Sequence, residues 1–116
     1  MDYETVGKIC LQQNAWVVAR VEFVVLHNGE MVHIKCDTGD VRLGQKIVVD
    51  PGKQCKMSDG SLMPTGALFS LYVFVVWGND VQAHEIFKYE SGNSRTANYT
   101  LTGTTLDSHL QLTGIS

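Results

Sequence analysis

The sequence has few basic residues, and they do not form the clusters that are typical of nucleic-acid-binding proteins. Its 116 residues include 9 Lys and Arg against 12 Asp and Glu, for a net charge of −3. Phosphate backbones are bound by clustered basic side chains, and the densest grouping here is Lys46, Lys53 and Lys56 around one expected turn. The sequence therefore argues against a nucleic-acid partner.

Long apolar runs are also missing. The longest, residues 71–77, is far below the roughly 20 residues that a membrane-spanning helix requires. The acidic start at Met1 to Glu4 is not followed by the apolar region of a secretory leader. We expect a soluble protein with no transmembrane segment, either cytoplasmic or exported without a classical signal peptide.

Cysteine and histidine are few and lack the spacings of metal sites. The three cysteines, Cys10, Cys36 and Cys55, cannot all pair within one chain and contain no CxxC motif. Free cysteines are usually buried, so three inert thiols are the simplest expectation, with a Cys36–Cys55 disulfide as the main alternative. We expect no metal and no cofactor.

What the sequence has in abundance is the two-residue hydrophobic period of β-strands. Turn residues such as Asn28-Gly29, Asp50-Pro51-Gly52 and Gly103-Thr104 separate the apolar segments. Strands are expected at residues 6–12, 15–26, 31–36, 41–43, 45–49, 67–77, 83–90, 96–102 and 106–112. This pattern predicts an all-β fold, an antiparallel two-sheet β-sandwich of eight or nine short strands, forming a single domain over residues 1–116.

The two longest expected strands are apolar on both faces. In each of these strands, residues 15–26 and residues 67–77, every second side chain faces the core. The side chains between them are apolar as well and point outward. An outward apolar patch of this kind needs a cover, and we predict a homodimer or other homo-oligomer. Its interface would comprise Trp16, Val18, Tyr72, Phe74 and Val76.

The triplet Asp37-Thr38-Gly39 is that of retroviral-type aspartic proteases, in which two such carboxylates share a proton across a dimer axis. Lys35 and Cys36 precede it where that family needs an apolar strand, so we interpret the triplet as a hairpin turn. Nucleophile elbows and phosphate-binding glycine loops are missing as well. We expect no catalytic residue and no enzymatic activity.

The candidate ligand site is Trp77, Asn79 and Asp80, where the second long strand is expected to end. An aromatic face can stack on a sugar ring, and the amide and carboxylate can hydrogen-bond its hydroxyl groups. In the alternative interpretation this is a simple turn whose Trp belongs to the core, because tryptophan is highly buried on average.

Three segments carry a resemblance to known proteins, namely Trp16-Val17-Val18, residues 44–52, and the terminal hairpin with Tyr99-Thr100-Leu101-Thr102, Leu110 and Leu112. In these segments the sequence resembles small fungal and bacterial β-sandwich proteins, the aegerolysins and the actinoporin-like fungal lectins. The resemblance implies a sandwich with a glycan or lipid ligand and carries over no site residue.

We therefore expect a non-enzymatic, lectin-like protein that recognises glycans through loops at one end of the sandwich. A membrane-active, lipid-binding protein of the cytolysin kind is the first alternative. A protein-interaction or immunomodulatory module is the second.

Overall fold

A computed structural model describes residues 3–116, except for the side chain of His27. Strands hold 55% of the residues and helix 4%, which confirms the all-β prediction. The described elements are β1 (Thr5–Val6), β2 (Lys8–Gln13), β3 (Ala19–His27), β4 (Glu30–Lys35), β5 (Lys46–Val49), α1 (Pro51–Gln54), β6 (Leu68–Val75), β7 (Val81–Gln82), β8 (Phe87–Tyr89), β9 (Thr96–Thr104) and β10 (Asp107–Ile115).

The strands form two sheets that share one hydrophobic core. The first has six strands in the order β1-β8-β6-β3-β4, with β7 added to β6, and the second has the order β10-β9-β2-β5. The predicted two-sheet architecture is confirmed. Both sheets are mixed, however, because β1 pairs parallel with β8 and β2 pairs parallel with β9.

The parallel pairs arise because β1 and β2 are one nearly continuous segment that passes from the first sheet to the second at Gly7. The Gly7 N–H donates to the Arg95 carbonyl at 3.0 Å. A Cβ on Gly7 would lie 2.1 Å from the Asn93 carbonyl oxygen, so only glycine permits this close approach.

In the two long central strands, β3 and β6, the side chains that face the core are the ones predicted from the sequence. Antiparallel register places Val21 opposite Val73 and Phe23 opposite Leu71, and all four side chains are buried. The Phe23 ring also meets the Phe69 ring edge to face at 5.3 Å. Strand alternation then leaves the neighbouring residues on the outer face of the six-stranded sheet.

The β3–β4 hairpin turn is confirmed. Asn28 and Gly29 have φ values of 51° and 78°, and His27 pairs with Glu30. Positive φ at both central residues is the geometry of a type I′ turn, which Asn-Gly adopts readily.

The first long strand begins at Ala19, not at residue 15 as predicted. The buried Gln13 explains the difference, because its side chain holds the following residues in a turn. Gln13 Nε2 donates to the Val17 carbonyl at 2.7 Å, and Gln13 Oε1 accepts from the Ala15 N–H at 2.5 Å. A buried amide satisfied in this way competes with strand pairing.

The expected turn at Asp50-Pro51-Gly52 is instead the start of α1. Asp50 is the N-cap, and its carboxylate accepts from the Gly52 N–H at 3.1 Å. The buried Tyr89 hydroxyl donates to the same carboxylate at 2.6 Å, which anchors α1 to β8.

Other boundaries differ from the prediction as well. Residues 83–90 contribute only β8, residues 41–43 contribute a single bridge from Val41 to Ala19, and the β9–β10 turn lies at Thr105-Leu106 instead of Gly103-Thr104. Gly103 stays in β9, where a Cβ would lie 2.1 Å from the Asp107 carbonyl oxygen. Glycine within a strand often marks such close backbone approach.

Cys36 and Cys55 form a disulfide, whereas Cys10 is a buried free thiol. The expectation of three free thiols was therefore wrong, and the alternative pairing is present. The bridge joins the end of β4 to the end of α1, where the two backbone segments also form an antiparallel bridge.

Asp37, the first residue of the protease-like triplet, lies in a turn with its side chain exposed, as interpreted from the sequence. Gly39 supplies the positive φ of this turn, at 70°. Within residues 3–116, no helix is both long and apolar enough to span a bilayer.

Candidate functional site

Four chain connections meet at one end of the sandwich. The register places Gln13 beside Leu101 in the second sheet and Ala19 opposite Val75 in the first, so β2, β6 and β9 end where β3 begins. Hydrogen bonds across both sheets join the connections. Their residues are 14–18, 41–45, 76–80 and 105–106.

This end carries large apolar side chains that face solvent. Trp77 is 94% exposed, Trp16 76%, Leu106 72% and Leu43 43%. We call these four residues the aromatic tip. Trp16 and Trp77 are also the only two tryptophans of the sequence, so neither tryptophan belongs to the core.

A shallow groove of about 420 Å³ runs between the two tryptophans. Its walls are apolar apart from one arginine and one threonine. The lining residues are Trp16, Val17, Val18, Arg42, Leu43, Val76, Trp77 and Thr105. Among the described residues the Arg42 guanidinium has no ion pair.

Backbone hydrogen bonds hold the tip connections together. The Trp16 N–H donates to the Gly103 carbonyl at 2.9 Å, and the Val76 N–H donates to the Val18 carbonyl at 2.9 Å. The Asn79 N–H donates to the Thr105 carbonyl at 2.8 Å. The first bond joins a connection to β9, and the other two cross from one connection to the next, so the exposed side chains stand on an ordered base.

Gly78 permits the close approach of two of these connections. A Cβ at Gly78 would lie 2.1 Å from the Thr105 carbonyl oxygen. The Gly78 N–H also donates to the Val75 carbonyl at 3.2 Å, which closes the turn that projects Trp77.

Trp77 adopts a left-handed backbone conformation with φ of 61°. Such a conformation is unusual for a bulky residue and costs roughly 1–3 kcal/mol. Because the side chain is almost fully exposed, it recovers none of this cost through burial. Folding alone therefore does not favour tryptophan at this position.

The candidate ligand residues Trp77, Asn79 and Asp80 do lie together at the tip, but the two polar ones are engaged. Asn79 Nδ2 donates to the Leu106 carbonyl at 3.2 Å. The Asp80 carboxylate accepts from the Tyr72 hydroxyl at 2.5 Å and from the Val75 N–H at 2.9 Å. These hydrogen bonds of Asn79 and Asp80 hold the loop in position. The core alternative for Trp77 is wrong, since its side chain faces solvent.

The residues of the expected dimer interface do not form one flat patch. Trp16, Val18 and Val76 line the tip groove, whereas Tyr72 and Phe74 lie half-buried on the outer sheet face. The homodimer stays a prediction.

Charged and aromatic side chains interrupt that outer sheet face. The Arg20 guanidinium lies 5.6 Å from the centre of the Phe74 ring. The His33 ring lies 4.3 Å from the Tyr72 ring, and His33 Nε2 lies 2.5 Å from the buried carboxylate of Glu22.

Electrostatics keep two groups near the tip in one protonation state at neutral pH. The hydrogen bond to Asp80, together with partial burial, raises the pKa of Tyr72 to about 12. The hydrogen bond from Arg20, at 2.7 Å, holds the pKa of Asp40 below its usual value. Tyr72 is thus a neutral donor and Asp40 a charged partner of Arg20.

Metal binding has no support from the described part of the chain. Within residues 3–116, leaving aside the His27 side chain, no group of three or more His, Cys, Asp and Glu side chains is close enough to hold an ion.

No protein-family model matches the sequence, and no curated protein matches it. Among solved structures, it is similar to a non-hemolytic pneumolysin from Streptococcus pneumoniae at 15% identity and a TM-score of 0.48. The likeness covers 91% of this chain and 23% of that one. Listeriolysin O is similar at 14% identity and a TM-score of 0.47, over 91% of this chain and 22% of that one.

The isolated membrane-binding domain of pneumolysin matches at 13% identity and a TM-score of 0.46, over 93% of this chain and 96% of that one. The chain thus spans less than a quarter of the whole toxins. None of these three structures is an aegerolysin or an actinoporin-like lectin, so that resemblance stays a prediction. At such low identities and TM-scores, function has to be inferred from the residues of this chain.

Proposed function

We propose that this chain is a non-enzymatic, single-domain protein that binds lipid membranes by placing its aromatic tip in the membrane interface. The observation that carries the proposal is the exposure of both tryptophans, Trp16 and Trp77, on one end of an otherwise well-packed sandwich. Tryptophan is enriched at membrane–water interfaces, because its ring is apolar and its indole N–H is polar.

The exposed apolar area of the tip is large enough to contribute measurably to membrane affinity. A tryptophan side chain buries roughly 150–250 Å² when covered. If about 100 Å² of Trp77 leaves water on binding, the gain is about 2.5 kcal/mol, or about 60-fold in affinity. Trp16 and the two leucines of the tip add further area of the same kind.

The charge of the tip indicates which membranes it suits. Among the described residues Arg42 is the only charged one lining the groove, and the whole chain carries a net charge of −3. Attraction to anionic lipids comes from clusters of basic residues near the membrane. We therefore expect binding to zwitterionic vesicles with weak dependence on salt.

Glycan recognition, the first expectation from the sequence, is less well supported by this geometry. The Asn79 amide and the Asp80 carboxylate already hydrogen-bond within the protein. A sugar stacked on Trp77 would have to find other partners for its hydroxyl groups, and each unpaired polar group costs affinity.

Co-sedimentation with phosphatidylcholine vesicles tests the proposal. Trp77→Ala and Trp16→Ala should each weaken binding, by about 60-fold for Trp77 from the area above. Ile86→Ala is the matched control, because Ile86 is an exposed apolar residue outside the tip. Its binding should equal that of the wild type.

Two results would contradict the proposal. One is a wild-type protein that stays in the supernatant at millimolar lipid. The other is equal binding by the Trp77→Ala variant. Retention on a glycan array without vesicle binding would revive the lectin interpretation.

A further inference from the structure

A second candidate site, independent of the tip, lies beside the disulfide. A pocket of about 330 Å³ there holds three of the six lysines of the chain. Its lining residues are Lys35, Asp37, Lys53, Gln54, Lys56 and Leu62. We call it the lysine pocket.

The disulfide sets the arrangement of these lysines. Cys36 pairs with Cys55 both covalently and as an antiparallel bridge, and the Asp37 N–H donates to the Gln54 carbonyl at 2.9 Å. Lys35 and Lys56 are the chain neighbours of the two bridged cysteines, and both line the pocket.

The pocket places like charges close together. Lys35 lies opposite Glu22 in the β3–β4 register, but the Glu22 carboxylate contacts His33. None of the ion pairs within residues 3–116 involves a lysine. Among the described residues Asp37 is the only acidic one lining the pocket, so its three ammonium groups repel one another with one lining carboxylate to offset them.

An anion would remove this repulsion. Lysine ammonium groups bind phosphate well, through charge-assisted hydrogen bonds. Gln54 adds an amide side chain, fixed by the hydrogen bond that its Oε1 accepts from the Asp50 N–H at 2.8 Å. The pocket volume leaves room for a phosphate group and part of the molecule that carries it.

We propose that the lysine pocket binds a phosphate group, carried either by a soluble molecule or by a lipid headgroup. The lysine pocket does not depend on the aromatic tip, because the tip is apolar and other loops form it. It does depend on the Cys36–Cys55 disulfide, which holds the segments of Lys35 and Lys56 together.

Thermal unfolding with inorganic pyrophosphate at constant ionic strength tests the site, using oxidised wild-type protein. The wild type should gain stability with saturable dependence on pyrophosphate. Lys35→Gln and Lys56→Gln should each weaken the apparent affinity about tenfold, as expected when one charge-assisted hydrogen bond is lost. Lys88→Gln is the control, because Lys88 is exposed and lies outside the pocket.

Lys56→Gln gives a second readout without any ligand. At low ionic strength it should melt at a higher temperature than the wild type, because the repulsion is relieved. Phosphates also stabilise proteins non-specifically by exclusion from the surface. Equal stabilisation of all four proteins, or none in the wild type, would overturn the proposal.

Vesicles identify the source of the phosphate. If a lipid headgroup carries it, adding phosphatidic acid to phosphatidylcholine vesicles should increase retention of a Trp77→Ala background protein, and Lys56→Gln should abolish the increase. If a soluble molecule carries it, pyrophosphate stabilises the wild type and the added lipid changes nothing.

Discussion

Replacing Asp80 with alanine separates a structural role at the tip from a ligand-binding one. The Asp80 carboxylate accepts from the Val75 N–H at 2.9 Å and from the Tyr72 hydroxyl at 2.5 Å. Hydrogen bonds to charged groups contribute about 1.5–3 kcal/mol each, with less at exposed positions. We therefore expect Asp80→Ala to lower the free energy of unfolding by about 2 kcal/mol in total.

Urea denaturation measures this loss. With a slope near 2 kcal/mol per molar urea, the midpoint should fall by about 1 M. Tyr72→Phe removes the shared hydroxyl and should cost less than Asp80→Ala. The double variant should lose less than the sum of the two, because both changes break the same bond. Glu30→Ala, an exposed carboxylate far from the tip, should stay within about 0.5 kcal/mol of the wild type.

An unchanged midpoint in Asp80→Ala would refute the reasoning. If ligand binding were lost at the same time, Asp80 would have to be treated as a ligand contact, as the sequence first indicated.

Three other outcomes are expected from the fold. Replacing Cys36 and Cys55 with serine should lower the free energy of unfolding by about 3 kcal/mol, given a sequence separation of 19; an unchanged urea midpoint would show that the bridge does not form. The folded protein keeps the Tyr72 proton up to a pKa of about 12, above the ordinary 10.0. Stability should therefore be full below pH 10 and fall between about 10 and 12, less so in Tyr72→Phe, in urea titrations at each pH. Gly7→Ala forces a Cβ to within 2.1 Å of the Asn93 carbonyl oxygen and should cost about 1–3 kcal/mol, and wild-type stability would mean that the strand switch is misplaced.

The core could be predicted because strand alternation is a local property. Val21, Phe23 and Val73 are buried as their two-residue period indicated. The Asn28-Gly29 turn was equally local, since its positive φ values follow from residue type. The two parallel pairs could not be predicted, because they join strands far apart in sequence and leave no periodic signal.

The tip was only partly predictable, because its residues are placed by contacts that alternation does not describe. Continuing the alternation of β6 would put Trp77 in the core, but β6 ends at Val75 and Trp77 turns outward. Gln13 was missed altogether, since a buried amide gives no hydrophobic signal. Asn14 lies two residues before Trp16, and Gly78 directly follows Trp77. These turn-forming residues are the sequence signal that could have identified both tryptophans as loop residues.

Intrinsic tryptophan fluorescence tests the membrane proposal most directly, because both tryptophans of the chain belong to the tip. In buffer, the emission should be that of water-exposed indole. On addition of phosphatidylcholine vesicles it should shift to shorter wavelength, and brominated acyl chains should quench it. An emission spectrum that vesicles leave unchanged, with no quenching, would contradict the account.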